Sequence, residues 1–229
     1  MRYGRRLIFM ISKFDELNEL FKEIDQCLRN RVHFFIIGGA MLLYHGLKSI
    51  TKDIDIVVDS AKEFSDVESV LKKIGFIAEI PTLEYKKTDL SQIFVREDFR
   101  IDLFQRTVCR GFVLSSMMVK RAKKVDELSH LSILLCSNED VFLLKTFTDR
   151  EGDIDDCIAL AKMGMDWDAI LDEIKRQIRI SGKEIWITWI GERLDILEER
   201  GLPIPIMADV DKLREEYFDE AEKRLKTKS

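Results

Sequence analysis

Three histidines in 229 residues, His33, His45 and His130, are few and form no ligand pair. The four cysteines, Cys27, Cys109, Cys136 and Cys157, are scattered without Cys-x-x-Cys spacing, which argues against a zinc site. Reduced, buried thiols in a reducing compartment are the expected state for them, ahead of disulfides or thiol catalysis. Apolar runs long enough to cross a bilayer are missing too, so no membrane partner is expected. The opening stretch, Met1 to Ile11, carries basic residues, but its apolar core is too short for a signal peptide. A cytoplasmic location is the resulting expectation, with residues 1–10 read as a flexible arm or an over-long start ahead of Met10. Internal repeats and low-complexity tracts are absent, which sets aside repeat arrays.

The composition is that of a globular protein, with 46% hydrophobic residues. The formal charge of −5 is unevenly spread: 22 basic and 19 acidic residues lie up to Leu135, and 15 basic and 23 acidic residues after it. Different partners are therefore expected for the two halves, 1–135 and 136–229. Arg106, Arg110, Lys120, Arg121, Lys123 and Lys124 fall in a stretch with no acidic residue, a candidate polyanion strip or simply a solvated surface.

The most informative stretch is Phe34 to Asp59. Four apolar residues, Phe34 to Ile37, suit a strand buried on both faces, and Gly38-Gly39 break it where a short apolar helix can begin. Glycines there would let a ligand approach the main chain, and free N–H groups at a helix start attract anions. In the next run, Asp53 and Asp55 share one strand face while Ile54, Ile56 and Val58 share the other. Two neighbouring carboxylates repel, and a divalent cation with hard oxygen ligands, most often Mg²⁺, offsets that repulsion.

Gly38-Gly39 followed by Thr51-x-Asp53-x-Asp55 resembles the signature of the DNA polymerase beta-like nucleotidyltransferase superfamily. Many members carry a phosphate-holding Ser after the first Gly, where this chain has Gly39 and then Ala40, so backbone groups would have to serve instead. The resemblance implies a third carboxylate on a later strand. Asp102, between Ile101 and Leu103, fits that place best, with Asp98 in the preceding turn as the alternative. Taken alone, Asp102 could equally face solvent from an edge strand. Glu139-Asp140, Lys145, Arg150, Asp153 and Asp156 are similar to a second hallmark of the family. On that likeness Lys145 would point toward a triphosphate, and Arg150 with Asp153 and Asp156 would lock two helices together.

The implied fold is α+β: a mixed sheet with flanking helices over 1–135, the catalytic domain, followed by a helical region over 136–229. Helical spacing predicts a helix from Phe14 to Leu28 and another after a Ser60/Glu63 capping box, stopped by Gly75. Strands are predicted at Phe76 to Ile80, Gln92 to Val95, Arg100 to Phe104 and Leu131 to Leu135. The middle two would form a hairpin at the sheet's far side. Further helices are predicted over Trp167 to Ile178, Glu184 to Glu199 and Val210 to Leu225, and the apolar face around Trp186 and Trp189 reads as core or dimer contact.

The activity implied is metal-dependent nucleotidyl transfer. Two Mg²⁺ ions on Asp53, Asp55 and Asp102 would bridge a nucleoside triphosphate and an acceptor hydroxyl, with Gly38, Gly39, Thr51 and Lys145 binding the nucleotide. The closest likeness in motif is to the AbiEii-type and minimal nucleotidyltransferases of toxin–antitoxin systems, which modify RNA ends or proteins. That likeness implies RNA, such as tRNA, on the basic strip, or a protein partner on the acidic C-terminal helices. Two other readings remain open: a non-catalytic nucleotide- or protein-binding module of the same fold, and an antibiotic adenylyltransferase.

Overall fold

The computed structural model describes residues 10–81, 89–97, 99–148 and 150–227. They form a mixed α+β structure in two compact units. The first unit takes the chain up to Val108 and again over Arg121–Cys136, and the second takes Cys109–Lys120 and the chain from Ser137 onward.

The first unit is built on a seven-stranded sheet. Its strands are β1 (Val32–Ile37), β2 (Ile54–Val58), β3 (Ile77–Glu79), β4 (Gln92–Arg96) and β5 (Phe99–Gln105). After two short strands, β6 (Thr107–Val108) and β7 (Phe112–Val113), come β8 (Lys123–Glu127) and β9 (Leu131–Leu135). The sheet order is β3-β4-β5-β2-β1-β9-β8. β1 runs antiparallel to β2 and parallel to β9, while β2 and β5 are parallel. β1 is buried on both faces, as its apolar run requires: Phe34 and Ile36 are fully enclosed, and Phe35 and Ile37 nearly so.

The predicted hairpin of β4 and β5 forms, but it does not lie at the far side of the sheet. β5 inserts beside β2, and β4 and β3 lie outside it. β3 is a three-residue edge strand with Ile77 exposed. At the other edge stands β8, a strand that hydrophobic alternation does not reveal. Its charged residues, Lys123, Lys124, Asp126 and Glu127, suit a strand whose outer edge faces water.

Helices α1 (Glu16–Cys27), α2 (Gly38–Tyr44) and α3 (Ala61–Lys73) belong to this unit. α1 buries Leu17, Leu20, Phe21 and Ile24, the stripe its spacing predicts. At its start Asp15 makes no side-chain cap bond, and the Ser12 hydroxyl donates to Glu16 Oε1 at 2.9 Å. α3 keeps half of its capping box, since Ser60 Oγ accepts from Glu63 N at 3.1 Å. The Glu63 carboxylate instead accepts the backbone N–H groups of Asp59 and His33, which ties the helix start to β1. Gly75, at φ +93°, ends the helix as expected.

The second unit contains β7, most of α4 (Ser116–Arg121), and α5 (Asn138–Thr146), α6 (Glu151–Ala161), α7 (Trp167–Ser181), α8 (Trp186–Glu199) and α9 (Met207–Thr227). Ser137 caps α5 by accepting from Asp140 N at 3.2 Å. Trp186, Ile187, Ile190, Leu194 and Leu197 of α8 are all buried, and the Trp186 ring lies 5.2 Å from that of Phe147. The apolar face of α8 is therefore core. No described helix is long and apolar enough to cross a membrane.

Candidate active site

The Gly38-Gly39 turn is held against two of the candidate residues. Gly38 has φ +64°, and a Cβ there would stand 2.0 Å from Asp55 Oδ2. A Cβ on Gly39 would stand 2.4 Å from Thr51 Oγ1. The sequence motivates the glycines by approach of a ligand, whereas their visible use is to make room for protein side chains. Thr51 is buried, its hydroxyl donates to the Asp53 carbonyl at 3.1 Å, and its backbone bridges to Ile11. Asp53 therefore enters β2 from a fixed point.

Asp55 and Asp102 are register partners on the adjacent parallel strands β2 and β5, so their side chains leave the sheet on one face. Asp53, two residues before Asp55, precedes the strand and is half-buried. Asp102 is only 3% exposed, and β5 is interior, so the edge-strand alternative does not apply to it. Asp98 lies outside the described residues.

A residue that the sequence reading missed completes this group. Arg100 also lies on β5, two positions before Asp102, and so on the same face. Its Nε and one terminal nitrogen donate to the two carboxylate oxygens of Asp102, each at 2.7 Å. The period-2 spacing of Arg100 and Asp102 was the available signal.

Among the described residues, no three His, Cys, Asp or Glu side chains already stand as a metal-binding cluster. The donor set nonetheless suits Mg²⁺: its members are hard carboxylate oxygens, two of them in register on neighbouring strands. Both Asp102 oxygens accept from Arg100 in this arrangement.

Lys145 is buried, with Nζ 2.6 Å from Asp153 Oδ1 and 2.7 Å from Asp156 Oδ2. Burial alone would lower its pKa, but the two carboxylates outweigh that and hold the ammonium above its ordinary value. Asp153 shows the mirror image: burial pushes its pKa up, and the Lys145 charge pulls it further down. Lys145 thus joins α5 to α6 inside the second unit, with its ammonium engaged by both carboxylates. Arg150, expected in the same lock, has an exposed side chain whose charge also lowers the Asp153 pKa.

The six basic residues do not form a single element. Arg106, Arg121, Lys123 and Lys124 belong to the first unit, and Arg110 and Lys120 to the second. Several already have partners. Arg106 Nε lies 3.7 Å from Asp59, Lys124 pairs with Glu127, and the Arg110 guanidinium lies 4.8 Å from the Trp189 ring centroid.

No curated protein matches the chain. A family model does: that of a nucleotidyltransferase of unknown function (DUF6036), over residues 15–179. The match takes in the Gly-Gly turn, Thr51, the three aspartates, Arg100 and Lys145. The chain belongs to this family, and with it to the nucleotidyltransferases.

Proposed function

We propose that the chain transfers a nucleoside monophosphate from a nucleoside triphosphate to a hydroxyl group of an RNA or protein. The acceptor oxygen bonds to the α-phosphorus, the bond to the β-phosphate bridge breaks, and pyrophosphate leaves with its electron pair. The observation that carries this reading is the in-register placement of Asp55 and Asp102, beside a turn where Gly38 leaves room for Asp55.

Asp53, Asp55 and Asp102 are the residues that would hold Mg²⁺, which when bound neutralises triphosphate charge and favours ionisation of the acceptor hydroxyl. Asp102 is the proton acceptor for that hydroxyl. Thr51 and the two glycines fix the floor of the site and the approach of the chain to Asp53. Because the Lys145 ammonium is engaged by Asp153 and Asp156, this reading holds the triphosphate without it. An RNA acceptor such as tRNA is supported by Arg106, Arg121, Lys123 and Lys124 in the first unit, and its binding would weaken steeply with salt. A protein acceptor or partner would meet the acidic helices of the second unit. A role in a toxin–antitoxin system rests on the motif likeness described above.

The test incubates the protein with each α-labelled nucleoside triphosphate, Mg²⁺, total RNA and cell protein. Label on RNA or protein that disappears with Asp53→Asn or Asp55→Asn supports the transfer and names the acceptor class. Label transfer that survives Asp53→Asn sinks the mechanism. The Arg100–Asp102 pairing favours one second reading, a nucleotide-binding module without turnover. Nucleotide binding with no transfer to any acceptor would select it.

A further inference from the structure

We propose that Arg100 is a latch on the third carboxylate, competing with the divalent cation for Asp102 and giving way when metal and nucleotide arrive together. This rests on the assignment of Asp53, Asp55 and Asp102 as metal-binding residues. Asp102 is 97% enclosed, and a buried carboxylate needs a counter-charge. Arg100 supplies one from the same strand as a two-pronged fork on both oxygens.

The two partners differ in freedom. The Asp102 side chain is short and enclosed, whereas the Arg100 side chain keeps 28% of its surface exposed on a long, flexible stem. Releasing the fork is therefore a movement of the Arg100 side chain rather than of β5. Asp102, freed, presents its oxygens on the face it shares with Asp55. Release removes the two Arg100 hydrogen bonds from Asp102, and a cation can take their place. A metal arriving alone must displace Arg100 without help. A metal arriving with a triphosphate brings phosphate oxygens that offer the displaced guanidinium a new anionic partner. The latch thus couples metal binding to nucleotide binding.

A rival account is compatible with the same distances. A carboxylate offers about four lone-pair directions, so Arg100 could buttress Asp102 from one side while a metal takes the other. The two accounts predict opposite signs for one measurement, the binding of Mn²⁺ to the nucleotide-free protein, followed by loss of the free-ion paramagnetic resonance signal. The latch predicts that Arg100→Gln tightens nucleotide-free binding by about tenfold or more, the weight of one hydrogen bond to a charged group. Arg100→Lys, which keeps the charge and loses the fork, should give a smaller gain. Adding Asp102→Asn to Arg100→Gln should abolish the gain. Far-ultraviolet circular dichroism establishes that each variant is folded, and the lysine variant carries the test if the glutamine variant is not.

Unchanged or weaker Mn²⁺ binding on loss of the fork overturns the latch in favour of the buttress. A gain that persists with Asp102→Asn overturns it as well. If neither the wild type nor the Arg100 variants bind Mn²⁺ with or without a non-hydrolysable triphosphate, the latch and the metal assignment fall together. A gain in Mn²⁺ binding without label transfer in the acceptor assay would sustain the latch and discard the transferase.

Discussion

Gly38 and Asp55 meet across the β1–β2 pair so closely that a single added carbon on Gly38 would overlap the Asp55 carboxylate, at 2.0 Å from Oδ2. Gly38→Ala faces two penalties, that clash and a left-handed backbone that disfavours a side chain. Strain of this kind costs about 1–3 kcal/mol. The expected result is a lower melting temperature and loss of label transfer in the protein that still folds.

At Gly39 the backbone is relaxed and the obstacle is the Thr51 hydroxyl, 2.4 Å from the added carbon. Gly39→Ala alone should reduce thermal stability. Combining it with Thr51→Ala, which removes that oxygen, should restore part of the loss. Melting curves of the two single variants and the double variant check this, and additive destabilisation would show that the clash is relieved elsewhere.

Lys145→Met should destabilise the protein by about 3–5 kcal/mol, because it leaves Asp153 and Asp156 buried without their counter-charge. Denaturant unfolding measures this. Nucleotide affinity of the folded fraction should be unchanged. A tenfold weaker affinity would mean that Lys145 reaches the triphosphate after all.

The same ion pair sets a pH dependence with a sign on each side. Asp153 has a folded pKa below its ordinary 3.8, so its stabilising contribution is complete above that value and is lost as the pH falls through the folded pKa. Lys145 has a folded pKa above 10.5, so its contribution is complete below 10.5 and is lost as the pH rises through the folded value. Comparing wild type with Lys145→Met by denaturant unfolding across pH, the stability difference should shrink as the pH rises through the folded Lys145 value, and on the acid side it should shrink as Asp153 of the variant, raised by burial once Lys145 is gone, takes up a proton.

Thiol labelling should divide the cysteines. Cys136 and Cys157 are buried, and burial pushes the Cys157 thiol up to about 12. Cys27 and Cys109 are half-buried. A maleimide at neutral pH should modify native protein at no more than Cys27 and Cys109, and all four sites once the chain is unfolded. Peptide mass mapping reads the result.

The parts of the fold written in local pattern were legible. Phe34 to Ile37 announced an interior strand, and the alternation of Ile54, Ile56 and Val58 marked β2 with Asp55 on its other face, although Asp53 falls just before the strand. Asp102 stood between apolar neighbours, and only its place on an interior strand decided that it is buried. What escaped depends on pairing between distant residues. Alternation says that Arg100 to Phe104 is a strand but not that it lies beside β2, since neighbours in a sheet are chosen across the chain. Lys123 to Glu127 hid as a strand because an edge dressed in charge has no apolar face to count. The pairing of Lys145 stayed hidden because its partners, Asp153 and Asp156, reach it only once α5 and α6 pack. Arg100 passed unnoticed because a lone arginine on a strand carries no signal until its neighbour two places on is known to be buried.

The parallel pairing of β1 with β9 also bears on how the protein is made. During synthesis β1 emerges early, and its β9 partner, Leu131–Leu135, is among the last parts of the sheet to leave the ribosome. A nascent chain that has reached Val108 can pair β1 with β2 on one side only, leaving an apolar strand with a bare edge. Chains stalled or cleaved there should be the aggregating species, and the cell's chaperones should meet this protein while it is still incomplete.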